Sequence, residues 1–238
     1  METDAMSNSI ALFSADGGMF FLRWLHLLFG IVWIGHLYYF NFVQGAFFAE
    51  IDAATKNQAL TKLVPRALWY FRYGALLTLI TGIGLYIGRT HQGFNVASSW
   101  GVNILTSMAM AFIMFCNVWM VIWPNQKIVI ASATQVLGGG QALPEAAGAG
   151  AKALLASRTN VLLSIAMLFF MVGARNLNIQ TTETSNFLAL AGIFGVILIA
   201  IEFNALKGKL GPIATVKGVV HMGVVLAFIM YAIAEAVL

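Results

Sequence analysis

Six stretches of nearly unbroken apolar sequence set the terms on which this chain can fold. They run from Met19 to Val43, Trp69 to Gly88, Val102 to Trp123, Val161 to Ala174, Phe187 to Ala205 and Thr215 to Ala236. About 20 apolar residues at 1.5 Å per residue cross a bilayer as a helix. The runs are continuous rather than alternating, which selects helices over a membrane barrel. Inside hydrocarbon each backbone N–H and C=O must find its partner within the protein, so the segments can only be helices packed as a bundle. The fourth has a short strictly apolar core, and needs Thr159, Asn160 and Asn176 at the membrane interfaces to span. With only 9% charged residues and a mean hydropathy of +0.85, the chain is no water-soluble domain.

The basic residues give this all-α membrane bundle an orientation. Lys56, Lys62, Arg66 and Arg72 fall at the first connection, Lys127, Lys152 and Arg158 at the third, and Lys207, Lys209 and Lys217 around the fifth. The alternate connections and the termini hold Arg23, Arg89 and Arg175. The positive-inside rule places the first group in the cytoplasm and both termini on the opposite, periplasmic face. The net charge of +4 therefore reports orientation and not nucleic-acid binding. The first segment follows a polar lead with Glu2, Asp4 and Asp16 and is too long for a signal-peptide core, so it is read as a retained helix. Residues 125–158 form the longest loop, cytoplasmic, Gly-rich and without a phosphate-binding ending, with one short amphipathic helix expected in it. Pro65, Pro124 and Pro212 sit near helix ends and none splits a span, which ranks solute transport last. The whole chain reads as one transmembrane domain.

Ionisable groups within a bilayer cost several kcal/mol, roughly 2.5 to 3.5 on insertion scales, and so mark function. His26, His36 and His221 are such groups, with Glu202 and Arg175 near helix ends. Neutral imidazole ligates haem iron, or less readily copper. His36 lies about 25 Å from the outer end of the first helix and His221 about 9 Å from the inner end of the last, by helical rise. Their matching depth makes them a candidate pair around one haem b. His26, about 15 Å along the axis from His36, belongs to a separate outer site, where Arg175 is suited to an anionic group such as a haem propionate. Trp33, Tyr38 and Trp119 lie deep enough to flank a flat cofactor, although ordinary packing is their commoner role. Each lone histidine is equally well explained by a hydrogen bond to a neighbouring helix. Glu202 is either a proton-handling group or a side chain reaching for water.

Two motifs go further. Arg23-Trp24-Leu25-His26 with Gly30 to Gly35, and Asn117-Val118-Trp119-Met120-Val121-Ile122-Trp123-Pro124-Asn125-Gln126-Lys127, resemble the membrane-bound bacterial urate oxidase family. The likeness extends over about Phe20 to Arg175 and includes Trp69 to Gly82 and Ser157 to Asn160. It implies a helical domain of the bacterial inner membrane that takes part in urate oxidation and passes electrons toward the respiratory chain. In that family a cytochrome c domain follows; these 238 residues hold no Cys-x-x-Cys-His, so a separate cytochrome is the implied acceptor. The family pattern also carries a histidine after the fourth helix, where Arg175-Asn176 stands here, so the likeness implies the fold without that histidine's role. The first helix is also similar to that of a membrane haem family acting on protoporphyrinogen, which implies His26 as a haem ligand. Two functions stay open: a haem b redox protein or electron-transfer subunit, and a cofactor-free accessory subunit packed against a larger membrane enzyme.

Overall fold

In a computed structural model, which describes Leu12, residues 14–182 and residues 184–238, the chain folds as a helical bundle with six helices long and apolar enough to cross a membrane. Glu2 and Asp4 of the polar lead lie outside the described residues. It is a multi-pass membrane protein. The first span joins α1 (Ala15–Tyr38), a π-helical segment (Tyr39–Gln44) and α2 (Gly45–Glu50). A short α3 (Ala53–Lys62), capped by Asp52, leads into the second span, α4 (Val64–His91), which carries Pro65 in its first turn. The third span runs through α5 (Ser99–Cys116), a second π segment (Asn117–Ile122) and α6 (Trp123–Leu137). The last three are α7 (Ala146–Asn176), α8 (Phe187–Lys207) and α9 (Val216–Val237).

These boundaries revise two expectations. Residues 125–158 are not a loop: α6 extends to Leu137 and α7 begins at Ala146, leaving 138–145 as the connection. Hydropathy registers only the lipid-crossing part of a helix, whereas the mixed polar and apolar continuation of α6 (residues 125–137) and the Ala-rich start of α7 do not register. Gly139 at φ +86° turns the chain there, and Ser132 Oγ accepts the Leu143 N–H at 3.0 Å. Nor does Pro124 end a helix. Proline has no N–H to give the carbonyl four residues back, and the helix passes it by widening just before: the Trp123 N–H bonds the Val118 carbonyl. Gly45 bonds Phe40 in the same way at the end of the first π segment.

The span with the shortest apolar core is the centre of the molecule. In α7, 67% of the membrane-crossing window is buried, against 11% in the first span. It packs against α5, α6, the second π segment, α8 and α9, while α1 packs chiefly on α4 as a hairpin at the side. That hairpin is close because of glycine: a Cβ at Gly74 would meet the Trp33 backbone nitrogen at 3.0 Å. Asn160, expected at an interface, is fully buried in the bundle interior.

Candidate functional site

The interior around α7 holds a hydrogen-bonded polar cluster drawn from three spans. Asn117 begins the second π segment, where the ladder shifts register, and its Nδ2 donates to Asn160 Oδ1 of α7 at 3.0 Å and to Glu202 Oε2 of α8 at 2.9 Å. Asn160 Nδ2 in turn donates to the Met114 carbonyl at 2.9 Å. Glu202 is half-buried, and one of its carboxyl oxygens is held by the Asn117 amide. Nearby, Asn41 Nδ2 binds Ser157 Oγ and Tyr38 pairs with Ser164, tying the first span to α7. Arg158, one residue from that contact, is 9% exposed, and its Nε and Nη1 have no hydrogen-bond partner.

The tryptophans of the Asn117 to Gln126 motif enclose a cation. Arg72 of α4 lies with Cζ 3.4 Å from the Trp123 ring centroid, 5.5 Å from that of Trp119 and 5.9 Å from Tyr73. Its Nε donates to the Leu68 carbonyl at 3.1 Å. A guanidinium inside a span is costly unless aromatic faces or acceptors surround it. The cage does this, and it joins α4 to the third span, on which α4 otherwise packs only lightly.

The histidines are not brought together. His36 and His221 sit on helices that both touch α7 but differ in their main neighbours, α4 for α1 and α7 for α9. The His36 ring stacks on Tyr70 at 5.9 Å, with Nδ1 on the Val32 carbonyl at 2.7 Å; His221 is exposed, with Nδ1 on the Lys217 carbonyl at 2.7 Å. His26 packs on α4, its Nδ1 3.0 Å from the Thr78 carbonyl and 3.1 Å from Thr81 Oγ1. A carbonyl can only accept, so Nδ1 carries the proton and Nε2 keeps a lone pair; among the described residues Nε2 makes no hydrogen bond. Arg89 feels the positive charges of Arg23 and Arg175, which gathers the three arginines at one end of the bundle, the end His26 is nearer. Arg175 itself is exposed. Trp33 is buried against α4, and its indole N–H has no partner. Among the described residues no group of three or more His, Cys, Asp or Glu side chains converges as a metal site.

Residues 89–234 match the family model described as urate oxidase N-terminal. The chain belongs to that family. No curated protein and no solved structure matches it. The match to the urate oxidase N-terminal family takes in Asn117, Trp119, Trp123, Pro124 and Gln126, and therefore the polar cluster and the two cage tryptophans, whereas Arg72 and Tyr73 precede it. It also reaches α8 and α9, beyond the Arg175 limit of the sequence likeness. Arg23, Trp24, His26, Gly35 and His36 precede the matched residues, whereas Arg175 and His221 fall inside them. Sequence reasoning found Asn117 and Trp123 only as motif letters and missed Asn160 as the partner of the first and Arg72 as the partner of the second. The available signal was position, since polar or charged residues within an apolar run face protein.

Proposed function

We propose that this member of the urate oxidase N-terminal family is an accessory membrane component that packs within the bilayer against a larger enzyme complex and needs no cofactor of its own. Family membership, which links the chain to one portion of a larger enzyme type, carries the reading. The central groups support it: Asn117, Asn160 and Glu202 bond one another from three spans, as a scaffold requires. Membranes lacking the chain should lose the complex's urate-dependent acceptor reduction, and the tagged chain extracted in mild detergent should migrate with the other components. The purified chain should be colourless and free of iron and copper. Full activity in membranes without it, or urate oxidation by the isolated chain, would refute the assignment.

A second reading has one observation in its favour, the free Nε2 of His26. Nδ1 fixed by a carbonyl is the arrangement that orients metal-ligating imidazoles. His26 would hold haem b through Nε2. Haem would supply one-electron chemistry; His26 would hold it, and Arg23, Arg89 and Arg175 would favour its propionates. Dithionite difference spectra decide: a Soret band abolished by His26→Ala supports haem, and a band untouched by that change refutes this ligand.

A further inference from the structure

A second feature of the bundle, independent of the reading above, lies where the first π segment meets α7. A cavity of about 170 Å³ opens there between the two π segments, bounded by Phe40, Asn41 and Gln44 on one side and Ile122 and Gln126 on the other. Phe71 of α4 and Ser157 of α7 complete its walls, and no charged side chain is among the residues lining it. Gly45 and Leu154, both exposed on the side of the bundle, lie at its edge.

Its polar groups are lopsided. Asn41 is 4% exposed, and its Nδ2 donates to the Leu37 carbonyl at 2.9 Å and to Ser157 Oγ. Because a carbonyl cannot donate, this fixes the amide: Oδ1 is an acceptor, and it is buried with no partner. Gln44 Oε1, on the same lining, is likewise buried and unpartnered. The acceptor fixed at Asn41, orphaned in a protein interior, calls for a donor from outside the chain. Apart from Gln126 and Ser157 the remaining walls are apolar or aromatic and none is charged, so the donor belongs to a neutral, flat, partly apolar molecule. By helical rise Asn41 is about 37 Å from the start of the first span, which puts the cavity in the headgroup layer of a bilayer about 40 to 45 Å thick. Membrane-borne hydroquinones have this chemistry: a ring of matching size, two hydroxyl donors, no charge, and access from the lipid side.

We propose that this cavity is a binding site for the headgroup of a hydroquinone, with one ring hydroxyl donating to Asn41 Oδ1. The oxidised quinone offers only acceptors and leaves Asn41 Oδ1 unpaired. The site therefore discriminates between the two redox forms, by about tenfold if one buried acceptor is left unmatched.

The test measures equilibrium binding of duroquinol and duroquinone, under anaerobic conditions, to the full chain in dodecyl maltoside micelles, with empty micelles subtracted. Wild-type protein should bind duroquinol about tenfold more tightly than duroquinone. Asn41→Leu should erase the preference. Gly150→Leu should weaken duroquinol at least tenfold: Gly150 lines the cavity, and a Cβ there meets nothing nearer than Val129 Cγ2 at 3.7 Å, so the longer side chain has the cavity to fill. Equal affinity of the wild type for the two forms overturns the proposal whatever the variants do. So does binding that Gly150→Leu leaves unchanged, the result expected if the space holds water alone.

Discussion

The cage around Arg72 can be measured as an energy. Trp123→Leu removes the ring 3.4 Å from the guanidinium, leaving Trp119 at 5.5 Å and Tyr73 at 5.9 Å as weaker neighbours. Cation–π contacts are worth about 0.5 to 1 kcal/mol at exposed sites and about 2 or more when desolvated. Arg72 is half-buried, which places the Trp123 contact at about 1 to 2 kcal/mol. A single substitution does not isolate that quantity. Trp123→Leu also loses ring burial and the flanking Lys127, 5.6 Å from its centroid, while Arg72→Met removes a desolvated charge as well as the contact. The coupling energy of the double-mutant cycle between Arg72→Met and Trp123→Leu is the proper readout, and methionine keeps most of the apolar stem in place.

Reversible unfolding in mixed micelles of increasing SDS fraction, followed by tryptophan emission and by proteolysis, gives the four stabilities. We expect the coupling at about 1 to 1.5 kcal/mol, with Trp123→Leu alone the most damaging change because it strands a charge. Arg72→Lys should recover less than half of the coupling, since an ammonium cannot lie flat on the ring. A coupling under about 0.5 kcal/mol, the scatter of non-interacting pairs, would refute the view that the tryptophans of the motif are there to enclose Arg72.

Asn117→Leu should cost about 1 to 3 kcal/mol in the same assay, because it leaves Asn160 Oδ1 and Glu202 Oε2 without their donor; unchanged stability would show the cluster to be incidental. Gly74→Ala should destabilise by about 1 to 3 kcal/mol, since the new methyl meets Trp33 backbone at 3.0 Å, whereas Gly30→Ala, with nothing within 4 Å, should be tolerated; equal effects would refute the close α1–α4 approach. Arg158→Met should raise the stability of the purified protein by about 1 to 3 kcal/mol by removing a buried cation with unpartnered nitrogens, and a fall of that size would mean that an outside anion pairs with it. Asp52, outside the spans, has its carboxyl held below the usual range by the Thr55 hydroxyl and then by the Thr55 and Ala54 N–H groups. A depressed value means the cap is fully present above the ordinary carboxylate range and lost as pH falls through the folded-state value, so the gap in thermal midpoint between wild type and Asp52→Ala should be complete at neutral pH and close in acid; a gap independent of pH would refute the charge-assisted cap.

The number of spans was readable because a bilayer imposes a length on every apolar run, and the six runs coincide with six helices. The family was readable from Asn117 to Gln126, since that motif combines an interior amide, two cage tryptophans and the proline that accompanies the π segment. What could not be read was which helices touch. Helical rise supplies a depth for His36 and His221 but no azimuth and no neighbour, and equal depth said nothing about α9 lying against α7 and α8 while α1 lies against α4. The Arg72 cage escaped for the same reason: Arg72 and the two tryptophans lie on different spans, far apart in sequence.

The fourth span shows what polarity within a membrane segment does signify. Arg158, Thr159, Asn160 and Ser164 weaken its claim to cross a bilayer when the test is contact with lipid. In the folded chain all four are buried, because other helices surround α7 and lipid does not. A side chain that would be costly against hydrocarbon is acceptable against Met114, Asn117 or Tyr38, each of which provides a partner to one of these residues or its neighbours. The first span makes the complementary case. It lies at the edge, with 11% of its membrane-crossing stretch buried, and Phe20, Phe21, Trp24, Leu27 and Ile31 are exposed there. Polar residues in the middle of an otherwise apolar run therefore locate the axis of such a bundle, and the site-forming residues with it. Asn117, Asn160 and Glu202 satisfy this criterion together, whereas His221, exposed on α9, does not.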